Sequence, residues 1–481
     1  MDPALVSVPV VLINDPVRTL HTAIEEERKE SAPSRFRWED VKTFRDYSRG
    51  RHRDTLSHEQ RRMLRGVRSF RAVENLSHKV IFELANRVQL LGWVVANEPV
   101  DAYLTELWVK NALPKLQGET HYATARDGNH AIGLNWHASS SRVVVSRMRW
   151  WDGKAGVWVA YGSDGTPTYA VNEWQEGGAT RRTVYYDDRI ERYIARGGSW
   201  STFQLSDDEA WPQPWVKRDG SPLHLPIVHF RNGSDDDTPY GRGVLDGGTQ
   251  GLQDDANDIQ NDATVAARMT AYQMYYATGV KPATDDAGDP IAVEVGPGVF
   301  LENESPDARY GAIAAGDMSQ LLSARRVKIE AISINTGVPF HLITGGDWPS
   351  GEALLRAEMP LINQAVVFED AVNPEWATVA HRATELTNTF GSGTPLDENV
   401  MIEAEFAPVE RRDDLTIQQI EREKLSAFLI KRELGWSLRR LMTEYGLSDD
   451  EITTMETERK KELADAGMMI EMTDDEDEGN A

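Results

Sequence analysis

The sequence predicts an α+β protein of several packed units, in which a β-rich region precedes a series of long helices. Between residues 140 and 232, short apolar runs alternate with a period of two and are separated by Asp-Gly and Gly-Gly turns. After residue 245 the apolar residues recur with the spacing of helices, over long segments. A chain of 481 residues has room for about two to four packed units.

The composition is that of a globular protein, and its net charge bears on which classes of DNA-binding protein it could belong to. Hydrophobic residues make up 40 % of the chain and charged residues 27 %. The 14 tryptophans indicate large apolar contact areas, of the kind that interfaces favour. A net charge of −25 argues against a protein that reads DNA by gripping its phosphates. The same charge does not exclude a channel through which DNA slides without sticking.

Cysteine is absent, which excludes disulfides and cysteine-ligated metals. The N-terminus lacks a basic segment before its apolar stretch, so no signal peptide is expected. No apolar run reaches the roughly 18 residues of a membrane helix, so no membrane span is expected either.

The first hundred residues are predicted to be mostly helical. Apolar residues from Val80 to Leu91 follow helical spacing, and the helix is expected to end near Gly92. A basic stretch precedes it, for which a solvated helical face is the favoured interpretation and a DNA-facing patch the alternative. Its members are Lys42, Arg45, Arg49, Arg51, Arg53, Arg61, Arg62, Arg65, Arg68 and Arg71.

The β-rich region is predicted to consist of antiparallel hairpins followed by a polar loop over 232–238. Its expected strands are 142–145, 157–161, 168–171, 182–186, 190–194 and 226–230.

A long segment rich in acids is predicted to form a helix over 246–277, with Gly279 in the position of a C-cap glycine. The helix would span on the order of 50 Å. Its apolar stripe is thin, and no Lys or Arg occurs between Asp246 and Ala267. Such a helix cannot be stable through its own core and needs neighbours, most simply copies of itself. The stripe recurs every seven residues, as Leu245, Leu252, Ile259 and Ala266.

The rest of the chain alternates short irregular segments with helices. A region rich in Pro, Gly and Asp, 280–313, contains strand-like runs at 291–293 and 298–301. A second helix is expected over 317–336, with Asp317 and Gln320 placed as in a capping box. A third is expected over 351–389, with a kink at each internal proline, Pro360 and Pro374. A strand at 402–406, C-terminal helices and an acidic tail at 474–478 complete the chain.

In this order and spacing the segments resemble the portal (head–tail connector) family of tailed bacteriophages, over most of the chain. The resemblance rests on four strings. They are Leu225-Pro-Ile-Val-His-Phe-Arg-Asn232, Tyr240-Gly-Arg-Gly-Val244, Ser350-Gly-Glu-Ala-Leu354 and the weaker Tyr47-Ser-Arg-Gly-Arg-His52. The resemblance implies a homo-oligomeric ring of about twelve subunits at one capsid vertex of the virion, assembled in the host cytoplasm. It implies that double-stranded DNA passes through the ring, and that large terminase, major capsid protein, scaffold and head–tail adaptor bind it.

The resemblance also implies a division into named parts. The wing would be 1–245, with its β-rich part at about 140–232, and the strand of 391–412 would return to it. The remaining parts would be a first stem helix at 246–279, a clip at 280–313, a second stem helix at 314–338, a tunnel loop at 339–350, a spine helix at 351–390, crown helices at 413–466 and an acidic disordered tail at 467–481.

Four acids of the first stem helix are candidates to line the channel: Asp254, Asp255, Asp258 and Asp262. Acids facing the axis would keep DNA phosphates from binding tightly. The alternative is that this face packs on basic groups of a neighbouring subunit, such as Arg325, Arg326 and Lys328. In the tunnel loop, Trp348 is expected to pack on the spine rather than touch DNA. The loop candidates are His341, Thr344, Gly345, Gly346, Asp347 and Trp348.

No nucleotide-binding loop, serine elbow or zinc-protease motif occurs, so no catalytic residue, metal, cofactor or enzymatic activity is expected. Two alternatives remain. One is a metal-dependent nuclease or hydrolase with a cryptic carboxylate site, for which the acids at 235–237 are the only candidates. The other is a different ring-forming virion adaptor.

Overall fold

The structure is a computed structural model that divides into two compact units, Met1–Val409 and Glu410–Ala481. It describes residues 38–410 except 55, 59–60, 62–72, 198, 206–209, 234–237, 272–274, 313–317, 346–350 and most of 280–304, and it describes a few residues beyond 410. Across this described part, none of the helices has the length and apolar character needed to cross a membrane.

Helices and strands both follow the hydrophobic spacing of the chain. The described helices are α1 Trp38–Ser48, α2 Leu76–Arg87, α3 Glu98–Lys110, α4 Leu113–Asp127, α5 Thr249–Ala271, α6 Met318–Thr336, α7 Phe340–Thr344 and α8 Gly351–Phe390. The described strands are β1 Leu90–Val95, β2 Asn129–His137, β3 Arg142–Met148, β4 Gly156–Tyr161, β5 Pro167–Glu176, β6 Ala179–Tyr185, β7 Arg189–Arg196, β8 Ser199–Thr202, β9 Gln213–Pro214, β10 Ile227–Arg231, β11 Tyr275–Thr278, β12 Arg309–Ala312 and β13 Ile402–Phe406.

The helix predicted over Val80–Leu91 ends earlier than expected. Asn75 caps α2 by accepting from the amide of His78, and the helix stops at Arg87. Residues 90–95 form β1, which pairs antiparallel with β13. The prediction of a helical end near Gly92 is therefore wrong, because the pairing with a strand more than 300 residues away overrides local spacing. The predicted strand at 402–406 is confirmed.

All six strands predicted in the β-rich region are present. They lie in two separate antiparallel sheets, one with the order β10-β2-β3 and one with the order β4-β5-β6-β7-β8, where β9 pairs with β7. The central strand β2 was not predicted. Its first six residues, Asn129–Leu134, are all buried, so the polar-apolar alternation that marks a half-exposed strand is missing.

Helix α8 contributes one of its faces to the main core. Its buried residues recur at three- and four-residue steps, which places them on one face. The helix runs unbroken through Pro360 and Pro374, the two positions at which kinks are predicted, and both prolines lie on its exposed side. The buried face consists of Leu361, Ala365, Phe368, Val372, Trp376, Val379, Ala383 and Leu386.

Helix α5 ends at Ala271, so the prediction that it continues to 277 is wrong. Residues 275–278 instead pair antiparallel with residues 309–312. Gly279 has a φ of +68°, and a Cβ there would lie 2.4 Å from the carbonyl oxygen of Asp307. Its role is a close turn after a strand, not a helix cap. Helix α6 begins within one residue of the predicted start. Asp317 and the predicted strand-like runs at 291–293 and 298–301 lie outside the described residues.

Two glycines explain why residues 240–244 pack so closely on the turn between α4 and β2. A Cβ on Gly241 would lie 2.3 Å from the carbonyl oxygen of Gly128. Gly128 itself has a φ of +76°. Asn129 completes the contact, because its side chain donates to the carbonyl of Gly241 at 3.0 Å and accepts from its amide at 2.8 Å.

Replacing Gly241 by alanine is therefore expected to destabilise the fold by about 2 kcal/mol or more, since the atoms it meets are backbone and cannot yield locally. Chemical denaturation of the purified protein measures the change. Gly251→Ala is the matched control. It lies in α5 with no atom within 4 Å of the added Cβ, so it should leave stability unchanged or raise it. Equal losses in the two variants would contradict the expectation.

Candidate functional site

The buried face of α5 carries polar amides beside two alanines, Ala256 and Ala263. Gln253, Asn257 and Asn261 are spaced by four residues and are each at most 4 % exposed. The expected stripe of Leu252, Ile259 and Ala266 is only half-buried. Leu245, the first member of that stripe, is buried just before the helix begins.

Amide side chains of α5 fasten it to the start of α2. The carbonyl oxygen of Gln253 accepts from the Ser77 amide at 3.1 Å, and its nitrogen donates to the Glu74 carbonyl at 2.9 Å. Asn257 accepts from the Glu74 amide at 3.1 Å and contacts the His52 ring at 2.8 Å. The partners are backbone groups left open at a helix N-terminus, so both sets of polar groups are satisfied. Amides repeating every four residues were the available sequence signal, and they were not used.

Asp254 is turned inward. It is 8 % exposed and accepts a hydrogen bond from the Tyr47 hydroxyl at 2.5 Å. Burial, and then the neighbouring carboxylate, raise the pKa of Tyr47 above its usual value, so the phenol remains the donor. An acid held in this way does not present its charge at an open surface of the chain.

The other three acids differ in exposure. Asp255 is exposed and pairs with Lys328 of α6 at 2.8 Å. Asp258 and Asp262 are half-buried, and one carboxylate oxygen of Asp258 is buried without a hydrogen-bond partner within the described part of the chain. The face of Asp254, Asp258 and Asp262 is therefore not one exposed acidic row.

Basic groups of α6 meet acids of the same chain. Arg325 pairs with Glu74, and Lys328 pairs with Asp255. Arg326 pairs with Glu330 at 2.9 Å and lies 5.1 Å from the ring centroid of Phe340. Of the four candidate acids, Asp255 therefore has a basic partner within its own chain, and the alternative that this face packs on a neighbouring subunit stays a prediction.

Several large apolar side chains stay exposed on the long helices. On α6, Val327 is 60 % exposed and Ile334 is 82 % exposed; seven residues separate them, so they share a helix face. On α8, Val367 is 62 % exposed beside the partly covered Val366. We call Val327 and Ile334 the outer face of α6.

Residues 339–350 are not a loop throughout. Phe340–Thr344 form one helical turn, α7, which ends at Gly345 with a φ of +66°. His341 is 5 % exposed, and its ring lies 3.8 Å from the Glu358 carboxylate of α8. The His341 side chain therefore packs against α8. The Thr344 hydroxyl is exposed and donates to the Phe340 carbonyl at 3.0 Å. Gly346, Asp347 and Trp348 lie outside the described residues.

The basic stretch near the N-terminus is not a uniformly solvated face. Arg45 is 3 % exposed and bonds Asp127 at 2.7 Å and Asp152 at 3.3 Å. Arg51 and Arg61 are exposed, and Arg62, Arg65, Arg68 and Arg71 lie outside the described residues.

No group of three or more His, Asp or Glu side chains placed to hold a metal occurs among the described residues. The acids at 235–237, on which the alternative of a metal-dependent hydrolase depends, lie outside them.

Comparison with known proteins identifies no family. No family model and no curated protein matches the chain. Among solved structures, the chain is similar to one from the neck of an empty gene transfer agent (GTA) particle computed with C6 symmetry. The TM-score is 0.46 and the sequence identity 15 %, and the match covers 88 % of this chain and 98 % of that chain.

Two further likenesses come from GTA particles. One is to a chain of the virion of a native particle, at a TM-score of 0.44, 15 % identity, and coverage of 88 % and 99 %. The other is to a chain of the neck of a native particle computed with C12 symmetry, at 0.38, 14 % identity, and coverage of 78 % and 90 %. With TM-scores below 0.5, these likenesses establish neither the fold nor the function of this chain.

Proposed function

We propose that this chain is a subunit of a phage portal ring, located at one capsid vertex of the virion, through which double-stranded DNA is packaged and ejected. The observation that carries the proposal is the pair α5 and α6. One side of the pair is fastened to α2 by polar contacts, and the opposite side exposes the outer face of α6. An apolar face of this kind is stabilised when an identical neighbour covers it.

The order of elements supports the same assignment. A β-rich region is followed by α5, the hairpin of β11 and β12, α6, the short α7 and the 40-residue α8, and β13 returns to β1. In the proposed portal, α5 and α6 form the stem, β11 and β12 belong to the clip, and α8 is the spine. Residues 345–350 supply the tunnel loop, 413–466 the crown, and the region before α5 together with β13 the wing.

The proposed partners follow from this role. The ring docks the large terminase during packaging and a head–tail adaptor afterwards, and it contacts the capsid and scaffold proteins during assembly. DNA passes through the ring without sequence preference. A subunit with a net charge of −25 repels phosphates at long range, so the DNA does not bind tightly.

Negative-stain microscopy of the purified full-length protein tests the proposal. We expect rings with a central hole. Compact monomers at micromolar concentration would contradict it.

Charging the outer face of α6 is expected to dissociate the ring. In the double variant Val327→Glu/Ile334→Glu, two carboxylates would have to be buried between subunits, at a cost of several kcal/mol per interface. Light scattering should then report a monomer with unchanged secondary structure. Val109→Glu is the matched control, since Val109 is 71 % exposed on α3. Rings that persist in the double variant would show that this face is not between subunits.

The exposed and half-exposed acids of α5 are proposed to line the channel. Changing Asp255, Asp258 and Asp262 together to Asn removes three charges per subunit, or about 36 from a ring of about twelve. DNA should then bind the channel wall, and the amount of DNA packaged per particle should fall. Asp101→Asn, on the exposed side of α3, is the control. Packaging equal to that of the wild type would remove these acids from the channel.

A further inference from the structure

A cavity of about 790 Å³ lies inside the first compact unit, between α1, α2, α4 and the strands β2 and β3. Its wall contains five arginines: Arg45, Arg49, Arg126, Arg147 and Arg149. The proposed portal function uses none of them. A volume of this size is within the range of small-ligand pockets, about 300–1,000 Å³.

The cavity is positively charged in a strongly acidic chain. Three carboxylates contact its arginines. Asp127 pairs with Arg45 and Arg126, Asp152 pairs with Arg45 and Arg149, and Glu119 pairs with Arg147 at 2.8 Å. Five guanidinium groups against three carboxylates leave two positive charges, where the chain as a whole carries −25.

Four of the five arginines divide into two sets, and the fifth, Arg126, is paired with Asp127. Arg45 is 3 % exposed and is committed to Asp127, Asp152 and the carbonyl of Trp150. Arg49, Arg147 and Arg149 are exposed at the cavity. Arg49 makes no ion pair with any part of the chain that the structure describes. Each guanidinium offers five N–H donors, so single ion pairs leave Arg147 and Arg149 with donors to spare.

A buried histidine points to a missing ligand. His130 of β2 lines the cavity and is 4 % exposed, yet neither ring nitrogen has a hydrogen-bond partner within the described residues. Buried polar nitrogens are seldom left in this state, because each one costs on the order of 1–3 kcal/mol. A ligand oxygen in the cavity would satisfy the N–H of this ring.

We propose that this cavity binds a phosphate group, held by Arg49, Arg147 and Arg149 and bonded by His130. A phosphate monoester carries a charge of about −1.5 to −2 at neutral pH, which matches the two unpaired positive charges. A single carboxylate would neutralise only half of them. Planar guanidinium groups also bind phosphate oxygens in pairs, which a lysine cluster would not do. The phosphate belongs to a small phosphorylated compound, because each phosphodiester of a DNA backbone carries only one negative charge.

Calorimetric titration of the full-length protein with inorganic phosphate, at constant ionic strength, tests the site. We expect saturable binding that weakens about tenfold or more in Arg49→Gln/Arg147→Gln, because two charge-assisted donors are lost. Arg196→Gln, an exposed arginine at the end of β7, is the control and should bind as the wild type does. If the double variant does not fold, Arg49→Gln alone replaces it, since that change breaks no ion pair within the described residues.

A second titration identifies the source of the phosphate. A short DNA duplex that displaces phosphate from the wild type, and loses affinity in the same variant, would overturn the assignment to a small compound. A nucleotide that competes where the duplex does not assigns it to a small compound. The proposal is overturned if the wild type does not bind phosphate at millimolar concentration. It is also overturned if the variant binds as tightly as the wild type, or if an acidic peptide binds and phosphate does not.

Discussion

Lowering the pH from 7 to 5 is expected to destabilise the folded chain by about 2 kcal/mol each through His121 and His130, and to destabilise it further through His229. His121, His130 and His229 are each at most 4 % exposed. Burial lowers the pKa of His121 to about 4 and that of His130 to about 3, and it places the pKa of His229 well below its usual value. In the unfolded chain each histidine takes up a proton near pH 6.5. The unfolded state therefore binds more protons below that pH, and stability falls until the folded-state pKa is reached.

Hydrogen bonds around two of these rings explain why they stay neutral. His121 donates from Nδ1 to the Val88 carbonyl at 2.9 Å, and its Nε2 accepts from the Trp376 indole at 2.9 Å. His229 contacts Asn129 Oδ1 at 3.0 Å through Nε2 and the Tyr161 hydroxyl at 2.5 Å through Nδ1. A second proton on His121 would lie on Nε2, where it would face the indole N–H of Trp376, which is also a donor.

Chemical denaturation at pH 7 and at pH 5 measures this loss. In His121→Gln, the difference between the two pH values should shrink by about 2 kcal/mol, whatever the stability of the variant at pH 7. His137→Gln, at an exposed position, is the control and should keep the wild-type difference. If both variants keep the wild-type dependence of unfolding free energy on pH, His121 is not a source of that dependence.

Replacing Asp127 by alanine is expected to cost about 3–5 kcal/mol, because the carboxylate is fully buried between two arginines. Its side chain is 0 % exposed and bonds Arg45 at 2.7 Å, while Arg126 bonds it at 2.6 Å. Removing it leaves the Arg45 guanidinium, itself 3 % exposed, with Asp152 as its remaining carboxylate. Thermal or chemical denaturation measures the loss.

The control for Asp127→Ala is an ion pair of the same chemistry at the surface. Asp54 pairs with Arg61 at 2.8 Å, with side chains 47 % and 55 % exposed. Asp54→Ala should change stability by less than about 1 kcal/mol, since water solvates both groups. Comparable losses in the two variants would mean that burial does not set the strength of the Arg45–Asp127 pair.

Most elements of the fold could be predicted from local spacing, and the exceptions share a cause. The strands β3 to β7 and β10 and the helix α6 were anticipated because their apolar residues alternate or recur with a clear period. Strand β1, the buried β2 and the early end of α5 were not, because each depends on a partner distant in sequence. Local periodicity carries no information about such pairings.

The candidate site was harder to predict than the fold. Four acids within about two helical turns indicate one charged surface, yet Asp254 is buried on Tyr47 and Asp255 pairs with Lys328. The inward face of α5 carries amides, which hydropathy classes with exposed residues. Their partners are backbone groups at the start of α2, and no pattern within α5 itself reveals them.

In the proposed ring, identical neighbours stabilise α5 and α6 through the outer face of α6. The most direct test is the mass of the full-length protein in solution, measured by light scattering at physiological salt. We expect a mass near 650 kDa, which corresponds to a closed ring of about twelve subunits of 53.9 kDa each. The double variant Val327→Glu/Ile334→Glu should have the mass of a single chain. A wild-type protein that remains at 53.9 kDa at micromolar concentration would contradict it.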